Sequence, residues 1–139
     1  MKAMSLLNTS NIDRALSILK PLIIRTPLIT NESINTLVNA KVYFKLENLQ
    51  STGSFKIRGA TYKISLLSKE QKQKGIVSYS SGNHAQAVAL ASLNHGIKAT
   101  IVMPNNAPKI KIENTKSYGA HIVFYNISNN FFVEMYDKP

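Results

Sequence analysis

The stretch Gly75-Ile76-Val77-Ser78-Tyr79-Ser80-Ser81-Gly82-Asn83-His84-Ala85-Gln86-Ala87-Val88-Ala89-Leu90 decides the fold. Ile76 to Tyr79 reads as a short strand, Ser80-Ser81-Gly82-Asn83 as a polar turn, and the alanine-rich run to Leu93 as a helix. His95-Gly96 stops that helix, with glycine where a left-handed residue costs least. Working toward the C-terminus, Ala99-Thr100-Ile101-Val102-Met103 is the next strand, ended by Pro104. Pro108 sits where a helix can begin, with Ile112, Thr115 and Tyr118 spaced to face inward. Gly119 closes it ahead of the strand His121-Ile122-Val123-Phe124. Strands alternating with helices require crossover connections and a parallel sheet. The expected fold class is α/β, an open, mostly parallel twisted sheet with helices on both faces.

Working toward the N-terminus, Ser51-Thr52-Gly53-Ser54 is a polar turn leading into a helix that carries Ile57, Ala60, Ile64 and Leu67. Before it, Val42 to Leu46 reads as a strand and Ile34, Leu37 and Val38 as a short helix. Leu22 to Leu28 is extended and punctuated by Pro27. Thr9-Ser10-Asn11 offers N-cap candidates for a helix carrying Ile12, Ala15, Leu16 and Leu19, closed by Pro21.

With 139 residues, 44% of them apolar and 17% charged, the chain fits a folded domain rather than a disordered segment. The absence of cysteine excludes a disulfide framework, a thiolate metal site and a cysteine nucleophile. The formal charge of +10 raises nucleic acid or an acidic membrane as partners. The lysines are scattered, however, and no aromatic residues alternate with them to stack on bases, so neither partner is expected. Met4-Ser5-Leu6-Leu7 is too short for a signal peptide. Leu16 to Ile29 is interrupted by Lys20, Pro21, Arg25 and Pro27 and cannot span a bilayer. A cytoplasmic protein is expected.

Open α/β sheets bind ligands at the carboxyl ends of their strands, where loops enter helix N-termini. Two such constellations stand out. In Ser54-Phe55-Lys56-Ile57-Arg58-Gly59, a lysine opening a helix meets the positive end of the dipole, which favours the neutral amine, a nucleophile toward carbonyls. On the residues alone, the commoner reading of Lys56 is one of 14 ordinary surface lysines. In Ser80-Ser81-Gly82-Asn83-His84, hydroxyls and free N–H groups at a helix start form an anion site, and Gly82 permits close approach. Ser81 or Asn83 acting only as an N-cap, with His84 exposed, explains the same residues. His84 and His95 have no metal-ligand spacing, so no metal site is expected.

Taken together, these motifs resemble a known family. Lys45-Leu46-Glu47-Asn48-Leu49-Gln50 followed by Thr52-Gly53-Ser54-Phe55-Lys56-Ile57-Arg58-Gly59-Ala60 is similar to the lysine segment of threonine dehydratases and serine racemases. Ser80-Ser81-Gly82-Asn83-His84-Ala85-Gln86-Ala87 is similar to their asparagine loop. Val102-Met103-Pro104 with Ala107-Pro108, Lys111, Thr115 and Gly119-Ala120 resembles the strand and helix that follow.

The resemblance implies a fold type II pyridoxal-phosphate enzyme with a partial tryptophan-synthase-β-like fold. Lys56 would hold pyridoxal 5′-phosphate as a Schiff base, Phe55 would pack on its ring, and Asn83 would hydrogen-bond the ring oxygen. Ser80, Ser81, Asn83 and His84 would form the substrate-binding loop, with Ser80, Ser81 and His84 receiving the carboxylate. Lys56 would remove the α-proton, and Ser81 matches the second base of racemising relatives. The implied reaction turns L-threonine into 2-oxobutanoate and ammonia, with L-serine second, as in isoleucine biosynthesis. A serine racemase-like isomerase and a non-catalytic α/β remnant are the alternatives.

The resemblance further implies a division into residues 1–50, part of the family's larger domain, residues 51–125, a small α/β domain, and an atypical tail, 126–139. Family members are homo-oligomers and more than twice as long, and they bind the cofactor phosphate through a run of glycines. Here Gly53, Gly59, Gly75, Gly82, Gly96 and Gly119 are all isolated. The expectation is therefore a truncated form that relies on a complementary fragment.

Overall fold

The alternation read from the sequence is carried through in space. A computed structural model of the chain describes residues 9–126. Their elements run α1 (Thr9–Leu19), β1 (Leu28–Ile29), α2 (Glu32–Val38), β2 (Phe44–Lys45), a 3-10 turn (Glu47–Leu49), α3 (Lys56–Ser65) and α4 (Lys69–Lys74). There follow β3 (Ile76–Tyr79), α5 (Asn83–Asn94), β4 (Ala99–Pro104), α6 (Lys109–Ser117) and β5 (His121–Tyr125). Met4 to Leu7 and the tail from Ile127 lie outside the described residues.

Strands β3, β4 and β5 form a parallel sheet in chain order, with Ile76 opposite Ala99 and Ile101 opposite Ile122. Both crossovers step the sheet in the same direction, so right-handed connections lay α5 and α6 on one face. Ile101 and Met103 of β4 are wholly buried beneath those helices, together with Ile57 and Ile64 of α3. Ala85 through Ala89 are buried without interruption, so α5 is enclosed on several sides at once. Alanine makes this possible, because its small side chain lets α3, α6 and the sheet all approach the same helix. Gly96 (φ +65°) and Gly119 (φ +78°) supply the left-handed residues that end α5 and α6. The rings of Tyr79 and Tyr125, on the two outer strands, lie 5.6 Å apart with their hydroxyls hydrogen-bonded. That bond pushes the pKa of the Tyr125 hydroxyl up to about 12.

The structure departs from the sequence reading at four places. Helices cover one face of the parallel sheet among the described residues, and Val77 is 74% exposed on the other. The strand expected over Val42 to Leu46 contracts to Phe44–Lys45, paired antiparallel with β1 in a separate sheet. Pro27 sets the limit at the Leu46 end. Its carbonyl accepts from the Leu46 N–H at 3.1 Å, but it has no N–H to return, so the ladder ends there. Helix α1 already includes Thr9, Ser10 and Asn11, so those residues are helical rather than caps. Finally, α4 is a helix that the sequence reading did not place between Leu67 and Gly75. Ser68 Oγ accepts from the Gln71 N–H at 3.2 Å and Gln71 Oε1 accepts from the Ser68 N–H at 2.9 Å, a complete capping box. No helix among the described residues is long and apolar enough to cross a membrane.

Candidate active site

The start of α3 is anchored from the N-terminal segment. Gln50, buried, mimics a strand partner: its Oε1 accepts from the Ile24 N–H at 3.0 Å and its Nε2 donates to the Ile24 carbonyl at 2.7 Å. Arg58, in the first turn of α3, grips Glu47 with two bonds, Nε to Oε2 at 2.8 Å and Nη2 to Oε1 at 2.7 Å. Thr26 Oγ1 donates to the same carboxylate at 2.5 Å. The Arg58 bonds, aided by Thr26 and opposed by burial, hold the pKa of the Glu47 carboxyl down at about 2. Such two-pronged, charge-assisted contacts fix direction as well as distance. They fix the helix end on which Lys56 is the first residue.

The start of α5 is built differently. Ser80 Oγ accepts from the Gly82 N–H at 3.3 Å, and Gly82 is the N-cap, with no side chain capping the helix. The simple capping role for Ser81 or Asn83 is therefore corrected: those side chains do not satisfy the helix end. A Cβ at Gly82 would meet nothing within 4 Å, so open space lies beside the loop. Asn83 Oδ1 accepts from Lys111 Nζ of α6 at 2.6 Å. Desolvation, followed by the charge of Lys56, holds the pKa of the His84 imidazole below its ordinary value.

That last effect links the two constellations. Helix α3 packs along α5, the ammonium of Lys56 acts on the ring of His84, and His84 directly follows Asn83. Lys56 Nζ also stands 5.0 Å from the centre of the Phe55 ring, which is exposed. Ser80, Ser81, Asn83 and His84 share the one loop after β3. A cavity of about 500 Å³ lies between α3, α4, β3 and α5; of the expected site residues it is lined by His84 alone, against Ala60, Ile64 and Val88. It is mainly an apolar gap behind the loops and not the site itself.

The donor set suits the ring end of a pyridoxal group: a primary amine for its aldehyde, an exposed aryl face, and an amide whose oxygen is committed elsewhere. The hydroxyls of Thr52 and Ser54, just before Lys56, are buried without a protein partner, so this loop retains unused hydrogen-bonding capacity. Lys56, Phe55 and Asn83 could hold the cofactor ring. Among the described residues no three His, Asp or Glu stand close enough to bind a metal.

The sequence reading assigned no work to Lys111, Gln86 or Asn114. The signal was present as an i, i+3 pair on each of two successive helices, Asn83 with Gln86 and Lys111 with Asn114.

Lys56 thus heads α3 and Asn83 heads α5, two helices packed against each other. The chain belongs to the pyridoxal-phosphate dependent enzyme family, whose pattern matches residues 19–137. It is 49% identical over 119 residues to the catabolic L-threonine dehydratase TdcB of Staphylococcus aureus, covering 85% of this chain and 34% of that protein. It is 47% identical over 108 residues to the L-threo-3-hydroxyaspartate ammonia-lyase of Saccharomyces cerevisiae, covering 78% of this chain and 33% of that one. The chain thus spans about a third of the length of the curated relatives it matches. Among solved structures, maize serine racemase superposes with a TM-score of 0.82 at 48% identity, covering 86% of this chain and 36% of the racemase. Threonine deaminase isoform 2 of Solanum lycopersicum superposes with a TM-score of 0.74 at 34% identity, over 88% of this chain and 37% of that enzyme. The parallel α/β fold expected from the sequence is that of these enzymes, and the family depends on pyridoxal phosphate.

Proposed function

We propose that this chain carries the lysine and asparagine loops of a pyridoxal-phosphate-dependent dehydratase of hydroxy amino acids. L-threonine is the first substrate, giving 2-oxobutanoate and ammonia, and L-serine the second. The observation that supports this reading is that the helix headed by Lys56 packs along the helix opened by the Ser80–His84 loop. Lys56 supplies the amine that holds the cofactor's aldehyde carbon and the base that moves the substrate α-proton. Phe55 packs on the ring and Asn83 donates to the ring oxygen. Ser80, Ser81 and His84, with the first N–H groups of α5, receive the substrate carboxylate. When bound, pyridoxal phosphate supplies the electron sink for the carbanion at the α-carbon. The relative in Staphylococcus aureus is a catabolic enzyme, so the proposal commits to the reaction and not to isoleucine biosynthesis. In the same reading, residues 1–50 belong to a larger domain, and residues 51–125 form the small domain.

The test adds pyridoxal phosphate to the purified chain and follows the visible absorbance of its lysine adduct. The band should form with the parent chain and vanish with Lys56→Ala; a band that survives the substitution removes Lys56 from the role. The 48% identity to maize serine racemase supports a second reading, an isomerase in which Ser81 is the opposing base. Assaying D-serine and 2-oxo acid release from L-serine separates the two. Absence of both products, with the cofactor bound, would leave a non-catalytic binding module.

A further inference from the structure

We infer that Lys111 is a positioning residue for Asn83, an inference that rests on the reading of Asn83 as the donor to the cofactor ring oxygen. The terminal torsion of asparagine is broad and nearly two-fold, so an exposed Asn83 free of other contacts would offer its oxygen as readily as its nitrogen. An oxygen turned toward an anionic ring oxygen repels it; an N–H attracts it. Lys111 resolves the choice. Its Nζ stands 2.6 Å from one amide atom of Asn83. An ammonium has hydrogens to give and no lone pair with which to accept, so that amide atom is oxygen. The amide nitrogen sits on the other branch of the same carbon and is presented as a donor. The lysine charge also polarises the amide, because hydrogen bonds to an ionised partner are the stronger kind.

The contact is backed by a row of amides whose middle member, Gln86, is buried. Gln86, 1% exposed, reaches Asn83 Oδ1 with its Nε2 at 3.5 Å, and its own Oε1 accepts from Asn114 Nδ2 at 2.8 Å. Lys111 and Asn114 are one helical step apart on α6, as are Asn83 and Gln86 on α5. Donors therefore run from α6 to α5 at both points, and every amide in the row has its direction set. Reversing Gln86 would leave the Asn114 donor facing another donor in a buried setting, which is costly.

Two measurements on the full chain test this. The first records the Asn83 side-chain amide signals by NMR without ligand in the parent chain, Lys111→Met and Lys111→Arg. Lys111→Met should move both amide proton signals and Lys111→Arg should bring them back toward the parent. Identical signals in the parent and Lys111→Met overturn the inference. The second titrates the same three proteins with pyridoxal phosphate and reads the Lys56-dependent absorbance band. Lys111→Met should weaken binding about tenfold, and Lys111→Arg should stay within about threefold of the parent. Binding by Lys111→Met as tight as by the parent overturns the inference and leaves the Lys56 reading intact. A parent chain with no Lys56-dependent band overturns the Lys56 reading and with it the cofactor role given to Lys111. The NMR comparison then still decides whether Lys111 directs the Asn83 amide.

Discussion

Residues 9–50 and residues 56–125 bury apolar side chains to very different degrees. The main core cluster draws every member from Ile57 to Ala120. In the earlier segment Leu19 alone among the large hydrophobics is buried, while Ile12, Leu16, Leu28, Ile29 and Val38 are exposed and Leu37 is 83% exposed. Yet Glu47 of that segment, itself held by Thr26, grips Arg58 in the first turn of α3. One region supplies hydrophobic stability and the other supplies aim. Hydrophobic burial is proportional to area and indifferent to direction, whereas paired carboxylate and guanidinium planes dictate it.

The contrast can be broken most forcefully in the core. Ile101→Ala, at a site with 0% exposure, should cost about 2–5 kcal/mol in urea unfolding, whereas Leu37→Ala should stay within about 0.5 kcal/mol. Comparable losses at both sites would abolish the distinction. Next comes the clamp. Glu47 keeps its charge in the folded chain down to about pH 2, against an ordinary pKa of 4.5, so the unfolded chain takes up the proton first as pH falls. Its contribution is complete above 4.5 and is lost between 4.5 and about 2. Thermal melts across that window should show a slope that Glu47→Gln flattens, with a loss of about 1–3 kcal/mol at neutral pH. A smaller effect is expected at Asn39, which ends α2 at φ +47°. Asn39→Ala should cost about 1 kcal/mol by calorimetry, and Asn39→Gly should not. The finest probe concerns the join between the loops. Lys56→Ala should raise the pKa of His84 toward its ordinary value in an NMR titration, though not fully, because desolvation is the larger cause. An unmoved titration would separate the two loops.

The crossover region was legible because strands and helices there alternate with glycine and proline at their ends. Ile76 to Tyr79, the alanine helix and the strand that follows the helix after Pro108 all emerge from periodicity and end signals. The N-terminal segment was less legible because its strands are two residues long, too short to show alternation. Helix α4 was obscured by its lysines, although Ser68 and Gln71 carry the capping pattern. Lys56, Ser80, Ser81, Asn83 and His84 could be nominated from local motifs alone. The contact of Lys111 with Asn83 could not, because it joins residues 28 apart and depends on how α6 lies against α5.

The order of the parallel sheet bears on how the chain comes into being. Each strand pairs with the one synthesised just before it, about twenty residues earlier. No strand of that sheet waits for a distant partner, so loop closure adds little entropy cost at each addition. A ribosome releasing this chain would present β4 to a β3 already formed, and β5 to the edge that β4 had just created. Assembly can follow the direction of translation, with the lysine-bearing helix made first and packed once α5 emerges beside it.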